Sequence, residues 1–203
     1  MKSAAGNPAT TTPVPVKSSD MMTAPLTLAN NCSEHPTPLG IMHATWNRQG
    51  LHALSWQPPT EPIALEPVAL EPVALEPVAN AASQPLQLDR CLQRYFDADT
   101  SVPDRRELFD EISIDETGWT DFQRRVYQHC RKIPAGETRT YQQLASAAGS
   151  PNASRAVGST MARNRLLLVI PCHRVVGADG SLRGFSAQGG LDSKRFLLNL
   201  ESQ

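Results

Sequence analysis

The feature that most limits how this chain can fold is a pentapeptide repeat, "EPIAL EPVAL EPVAL EPVAN", over residues 61–80. A proline every five residues removes a backbone donor each time and excludes both a helix interior and a central strand. A five-residue period also matches no stacking solenoid unit. The repeat therefore reads as an extended, polyproline-like surface loop at 58–85, and the fold must be assembled from its flanks. Those flanks differ in charge. Residues 1–118 carry 7 Lys and Arg against 15 Asp and Glu, whereas residues 119–203 carry 12 against 5. The overall net charge of −1 hides this division. A basic second part points to a polyanionic partner, with a solvated charged surface as the plainer alternative.

Residues 1–37 are rich in Ser, Thr, Pro, Ala and Asn without periodicity and read as a disordered tail. The first twenty lack the apolar core of a secretory signal, and the longest apolar run, "LLLVI", is far too short to span a bilayer. Residues 38–116 read as an α/β unit. It opens with two strands around a turn at "NRQG" within Leu39–Trp56. A helix follows over Leu86–Phe96, "LQLDRCLQRYF", with Cys91 and Tyr95 as core positions. Then comes an acidic connector with one short strand around "ISI".

From residue 117 the pattern turns helical. "WTDFQRRVYQHCRKI" places Phe122, Val126, Cys130 and Ile133 on one face and ends before "PAGE". "TYQQLASAAG" is a short helix opened by Thr140 and stopped by Gly149. "SPNASRAVGSTMARN" is a second, with Ser150 as N-cap and Pro151 at its first position. Two short helices around a tight turn make a helix-turn-helix candidate. The second helix shows small residues (Ala153, Ala156, Gly158, Ser159, Ala162) around one long cation, Arg155. Helices that read the major groove usually carry long polar side chains. A small-residue face can instead approach the minor groove, leaving Arg155 free to enter the base stack; tight packing on a neighbour would explain the same residues. Downstream, "RLLLVI" is a buried strand or loop, "GADGSLRGFSAQGG" a polar turn, and "LDSKRFLLNLE" a final amphipathic helix.

The four cysteines, Cys32, Cys91, Cys130 and Cys172, form no CxxC pair, which suits free thiols in a reducing compartment. Cys32, His35, His43 and His52 fit no closed tetrahedral spacing, so no metal is expected. Cys172 stands apart in "VIPCHRVVGADG". A thiolate nucleophile needs a base or a positive environment, and His173 and Arg174 follow it directly. Glu201, on the last helix, could orient the imidazole. Taken alone, a Cys-His pair also suits a buried structural thiol.

"IPCHRVV", preceded by "SRAVGSTM" and Asn164 and followed by "GSLRGF" and "KRFLLNLE", resembles the O6-alkylguanine-DNA alkyltransferases. The resemblance extends through "FQRRVYQHCRKIPAGETRTYQQLASAAG" and so covers 117–203. It implies an α/β N-terminal domain, ribonuclease H-like in the family, and a mainly α, winged helix-turn-helix C-terminal domain. It further implies irreversible transfer of a methyl or larger alkyl group from O6-alkylguanine in double-stranded DNA to Cys172. DNA would be bound through the minor groove by a monomer that acts once. His173 would draw the thiol proton through a water, held in its tautomer by Glu201. Tyr141 would supply a proton to the leaving guanine, and Asn164 would tie the helix-turn-helix to the active-site loop. Arg155 would replace the flipped base, while Gln123, Gln142, Ser150 and Ala156 match DNA-contacting positions. Val175, Phe185 and Ser186 would line the pocket. No cofactor is implied, because the lesion is the alkyl donor; the expected place of action is the cytoplasm, or the nucleus in a eukaryote.

The chain departs from the family pattern in four places. Arg165 stands where many relatives have proline, which would loosen the turn or add a phosphate contact. Phe185 replaces a common tyrosine, "SAQGG" lengthens a loop, and the repeat and tail have no counterpart in compact members. Three rival functions make different demands. A non-catalytic lesion-binding protein would lack the nucleophilic cysteine. A transcription factor would carry long polar side chains on its recognition helix. A cysteine peptidase would need a base elsewhere and an oxyanion hole.

Overall fold

A computed structural model describes residues 32–59, 83–97 and 108–202. The tail before Cys32, the whole proline repeat and part of the acidic connector lie outside the described residues. Three antiparallel strands come first: β1 (Cys32–Thr37), β2 (Gly40–Asn47) and β3 (Gly50–Ser55), in that spatial order. The β2–β3 turn falls within "NRQG", as the pattern predicts. Asn47 Oδ1 holds it by accepting from the backbone N–H groups of Gln49 (2.9 Å) and Gly50 (3.2 Å).

β1 corrects the expectation that the tail runs to residue 37. Its inward side chains, Ser33 and His35, are polar, so no apolar alternation announces a strand. Their burial is offset by hydrogen bonds. His35 Nε2 lies 2.9 Å from Ser33 Oγ and Nδ1 lies 3.1 Å from Asp89 Oδ1, while Trp46 Nε1 donates to Ser33 Oγ at 3.2 Å. Asp89 belongs to α1 (Ser83–Phe96), which packs on β1 and buries Pro85, Leu88, Leu92 and Tyr95.

The outer edge of β3 is covered by two segments distant in sequence. Leu51 N–H donates to Ser113 O (2.8 Å) and Asp115 N–H to Leu51 O (2.9 Å). Farther along, Leu54 N–H donates to Arg165 O (2.7 Å) and Leu167 N–H to Leu54 O (3.0 Å). "ISI" thus supplies only the isolated bridge at Ile114. Gly50 permits this docking: a Cβ there would lie 2.4 Å from Ser113 O, and its φ is +137°.

The second part holds α2 (Asp121–Arg131), α3 (Tyr141–Ala147), α4 (Ser154–Ala162) and α5 (Leu191–Glu201). It also holds a parallel pair of two-residue strands, β4 (Arg139–Thr140) and β5 (Val175–Val176). α2 and α3 each open with a capping box, Thr120 with Gln123 and Thr140 with Gln143. The expectation that the next helix begins at Ser150 and Pro151 is corrected. α4 begins at Ser154 with Ala153 as its N-cap, and Ser150–Ala153 is a turn closed by Ala153 N–H to Ser150 O at 2.9 Å. Proline's fixed φ suits the second position of such a turn as well as the first of a helix, so the signal had two readings. One apolar core runs from Met42 and Leu51 through Tyr95 and Val126 to Leu197. Among the described residues no helix is long and apolar enough to cross a membrane.

Candidate active site

The loop that leads to Cys172 is pinned by hydrogen bonds from one side chain. Asn164 is buried at the end of α4; its Nδ2 donates to Ile170 O (2.8 Å) and its Oδ1 accepts from Leu166 N–H (2.9 Å). Between these contacts Leu168 adopts φ +69°, uncommon for a leucine, and the chain reverses so that Ile170 N–H reaches Leu166 O at 2.8 Å. Leu166–Ile170 are all buried. Cys172–Arg174 then form a single 3-10 turn that passes into β5, paired with Arg139 and Thr140.

Cys172 is only 5% exposed and lines a cavity of about 810 Å³ with Tyr141, Arg155, Gly158, Phe185 and Ser186. The exposure of α4 removes one of its two readings. Ala156, Ser159 and Ala162 are exposed, and a Cβ on Gly158 would meet nothing within 4 Å. Packing on a neighbouring helix therefore does not account for the small residues. Gln142 lines the cavity, Ser150 sits in the turn before α4, and Gln123 is committed to the α2 capping box. Val175 departs from expectation. It is fully buried and does not line the cavity, because β5 pairing turns this residue into the core.

His173 is fully buried, with Nε2 2.9 Å from Glu201 Oε1. An ionised carboxylate only accepts, so Nε2 carries the proton and Nδ1 the lone pair. That Nδ1 is buried and has no hydrogen-bond partner among the described residues. Arg174, which the sequence suggests only as local positive charge, grips Glu201 with two bonds. Its Nε donates to Oε2 (2.9 Å) and its Nη2 to Oε1 (2.8 Å), while Nη1 donates to Ile133 O (2.6 Å).

Two further residues escape the sequence reading. Tyr95 on α1 donates its hydroxyl proton to Glu201 Oε1 at 2.6 Å; its helical spacing marks only a core position. Lys194 is fully buried and donates to Val175 O (2.7 Å) and Arg183 O (3.1 Å). The spacing of Lys194, Leu197 and Glu201 along α5 was the available signal, since it places all three on the buried face.

Burial sets the resting protonation states. It pushes the Cys172 thiol up, against a lowering hydrogen bond from Asn164 and the charge of Lys194. It pushes the His173 imidazole down, against Glu201. At rest, then, a neutral thiol stands beside a neutral base. Burial also pushes Glu201 up, but hydrogen bonds from His173 and Arg174 and the charge of Arg174 outweigh this and hold it well below the usual carboxylate range. The Tyr141 hydroxyl is raised by burial and by the neighbouring Cys172, so it keeps its proton.

Arg165 contradicts both of its expected roles. Nε donates to His52 O (2.7 Å) and Nη2 to Asp115 O (2.8 Å) and Thr117 O (3.2 Å), with the guanidinium 5.6 Å from the Trp119 ring centroid. It fastens the turn to the first part of the chain. Each imidazole of that part faces a carboxylate: His35 Asp89, His43 Glu34 and His52 Asp115. Among the described residues no group of three or more His, Cys, Asp or Glu is placed to hold a metal ion.

Comparison with known proteins gives the class first. Residues 121–203 match the family described as 6-O-methylguanine DNA methyltransferase, DNA binding domain. A methylated-DNA–protein-cysteine methyltransferase from Methanosarcina acetivorans is 51% identical over 82 residues, 40% of this chain and 51% of that protein. The chain thus spans about half the length of such archaeal relatives and of the mycobacterial ones, 53% for that of Mycolicibacterium paratuberculosis. The Salmonella typhimurium relative of the same name is 36% identical over 166 residues, 81% of this chain and 91% of that protein. The crystal structure of Mycobacterium tuberculosis OGT in complex with DNA superposes with a TM-score of 0.60 at 32% identity. It covers 83% of this chain and 91% of that one. The chain belongs to the methylated-DNA–protein-cysteine methyltransferase family.

Proposed function

We propose that this protein repairs DNA by direct reversal, moving the alkyl group of O6-alkylguanine onto its own Cys172. The observation that carries this reading is the buried Nδ1 of a neutral His173, without a hydrogen-bond partner among the described residues, next to a cavity-lining thiol. The thiol proton passes to Nδ1 through a bridging water, and the imidazolium so formed is stabilised by Glu201. A carbon–sulfur bond forms as the carbon–O6 bond breaks, and the electron pair leaves with the guanine. Tyr141, which keeps its hydroxyl proton and lines the cavity, donates that proton to the departing base. The thioether is not reversed, so each molecule acts once and needs no cofactor.

In the same reading, α3, the turn at 148–153 and α4 form the helix-turn-helix of a winged domain, and β1–β3 with α1 form a ribonuclease H-like domain. The small-residue face of α4 approaches the minor groove of double-stranded DNA, with Arg155 entering the stack in place of the extruded base. Gln123, Gln142, Ser150 and Ala156 lie along that approach, and Phe185 and Ser186 wall the pocket. The protein acts as a monomer, in the cytoplasm or, in a eukaryote, the nucleus.

Intact mass spectrometry with peptide mapping, after mixing with a duplex oligonucleotide carrying O6-methylguanine, tests the reading. A gain of one methylene unit on the Cys172 peptide, saturating at one equivalent, is expected. Tight binding to the lesion with no mass change would instead assign a lesion-binding role.

A further inference from the structure

Glu201 Oε1 accepts three hydrogen bonds: from His173 Nε2 (2.9 Å), from Arg174 Nη2 (2.8 Å) and from the Tyr95 hydroxyl (2.6 Å). The first two donors sit on the 3-10 turn of the nucleophile. The third comes from α1, which precedes the acidic connector, and its ring is fully buried against Phe96 and Phe109. Its oxygen is also 3.4 Å from His173 Nε2, so the phenol sits over the histidine–carboxylate pair itself. A buried tyrosine with a purely packing role would aim its hydroxyl at any convenient carbonyl.

We propose that Tyr95 is a positioning residue for proton transfer, using its hydroxyl to hold Glu201 Oε1 against His173 Nε2 and to set how strongly that oxygen attracts the imidazole proton. The inference rests on the direct-reversal reading of Cys172 and His173. A carboxylate oxygen that shares its charge among three donors is a weaker base than one bonded to histidine and arginine alone. The Nε2 proton therefore stays on the ring, and Nδ1 remains the atom that takes the thiol proton. Removing the hydroxyl concentrates negative charge on Oε1, which stabilises the imidazolium and raises the pKa of His173. The other groups bearing on this pair are Arg174 and Cys172 on the turn, Lys194 on α5 and Cys130 on α2, and a change at Tyr95 leaves all of them in place.

The test is Tyr95→Phe, which keeps the ring contacts and deletes one oxygen. Single-turnover methyl transfer from an O6-methylguanine duplex is followed from pH 5 to 8.5. In the parent, burial lowers His173, so the acid limb lies below the ordinary histidine value of about 6.5. In the variant the limb moves up by about one pH unit, so that at any pH on the limb its plateau-normalised rate is about tenfold below the parent's. A packing role would lower Tm and leave the normalised profile superimposable on the parent's, which overturns the proposal. Imidazole 15N NMR titration of His173 gives the same comparison without any transfer. If the parent fails to alkylate while His173 still titrates higher in Tyr95→Phe, the direct-reversal reading fails and the positioning role survives. Should Tyr95→Phe not fold, 3-fluorotyrosine at this position strengthens the donor, and the titration must then move down.

Discussion

Glu201 shows how much can rest on one side chain. It is a buried carboxylate with charged donors on both oxygens, and removing one partner of a buried pair leaves the other charge stranded. Glu201→Gln keeps the shape and strands Arg174, so it should destabilise the fold by about 3–5 kcal/mol at pH 7 and abolish efficient transfer. The pH dependence has a definite sign. The folded-state pKa of Glu201 is depressed, so its stabilisation is present above the ordinary glutamate value of about 4.3 and fades as pH falls below it. Urea midpoints should therefore fall steeply for the parent between pH 5 and 3 and more shallowly for the variant. At this scale the sequence exposes what lies in one motif, Cys172 with His173, and misses what converges across distance. Tyr95 and Glu201 are separated by 106 positions, and nothing local in "RYF" reports a carboxylate at the other end of the chain.

At the scale of elements, α4 offers the sharpest separation between folding and function. Gly158 is helical and lines the cavity, and a methyl group there would meet no atom beyond its own helix backbone within 4 Å. Gly158→Ala should therefore stabilise the protein by about 0.5–1 kcal/mol through helix propensity and chain entropy. If the small face approaches DNA, the same substitution should weaken lesion-duplex binding several-fold, which fluorescence anisotropy measures beside Tm. A rise in both would mean the face is not a contact surface. Thr140→Ala, by contrast, removes a capping-box acceptor at α3 and should cost about 1 kcal/mol. Helices were legible because apolar period and capping chemistry agree, as in α2 and α3. The start of α4 was not, since Ser150-Pro151 serves a turn as well as a helix. β1 was not, since its buried side chains are polar and its hydrogen-bond partners lie on α1 and β2.

At the scale of the whole molecule, the two parts of the chain are joined at the outer edge of β3, and Asp115 and Arg165 lock that edge. Asp115 Oδ2 accepts from Asn47 Nδ2 (2.8 Å) and lies 2.7 Å from His52 Nδ1, while Oδ1 accepts from Thr117 N–H (2.7 Å). Arg165 closes the same knot from the active-site loop, one residue after Asn164. The acidic and basic division was legible from composition, but this clasp was not, because its partners are up to 113 positions apart. Sequence alone allowed Arg165 to be a phosphate contact, and the two roles predict different experiments. As a phosphate contact, Arg165→Ala would reduce the slope of log affinity against log salt by about one and leave Tm nearly unchanged. As a clasp it should leave the salt slope intact and cost about 2–4 kcal/mol, roughly 5–15 °C in Tm for a chain of this size. Asp115 then adds a pH signature. Burial raises its carboxyl, but bonds from Thr117, His52 and Asn47 prevail and hold it well below the usual range. Its contribution is present above the ordinary aspartate value of about 3.9 and is lost as pH falls below it. Asp115→Asn should accordingly flatten acid unfolding in that window, and the double variant with Arg165→Ala should lose less than the sum of the two single losses. An additive double variant would show that the two side chains act separately and form no common clasp.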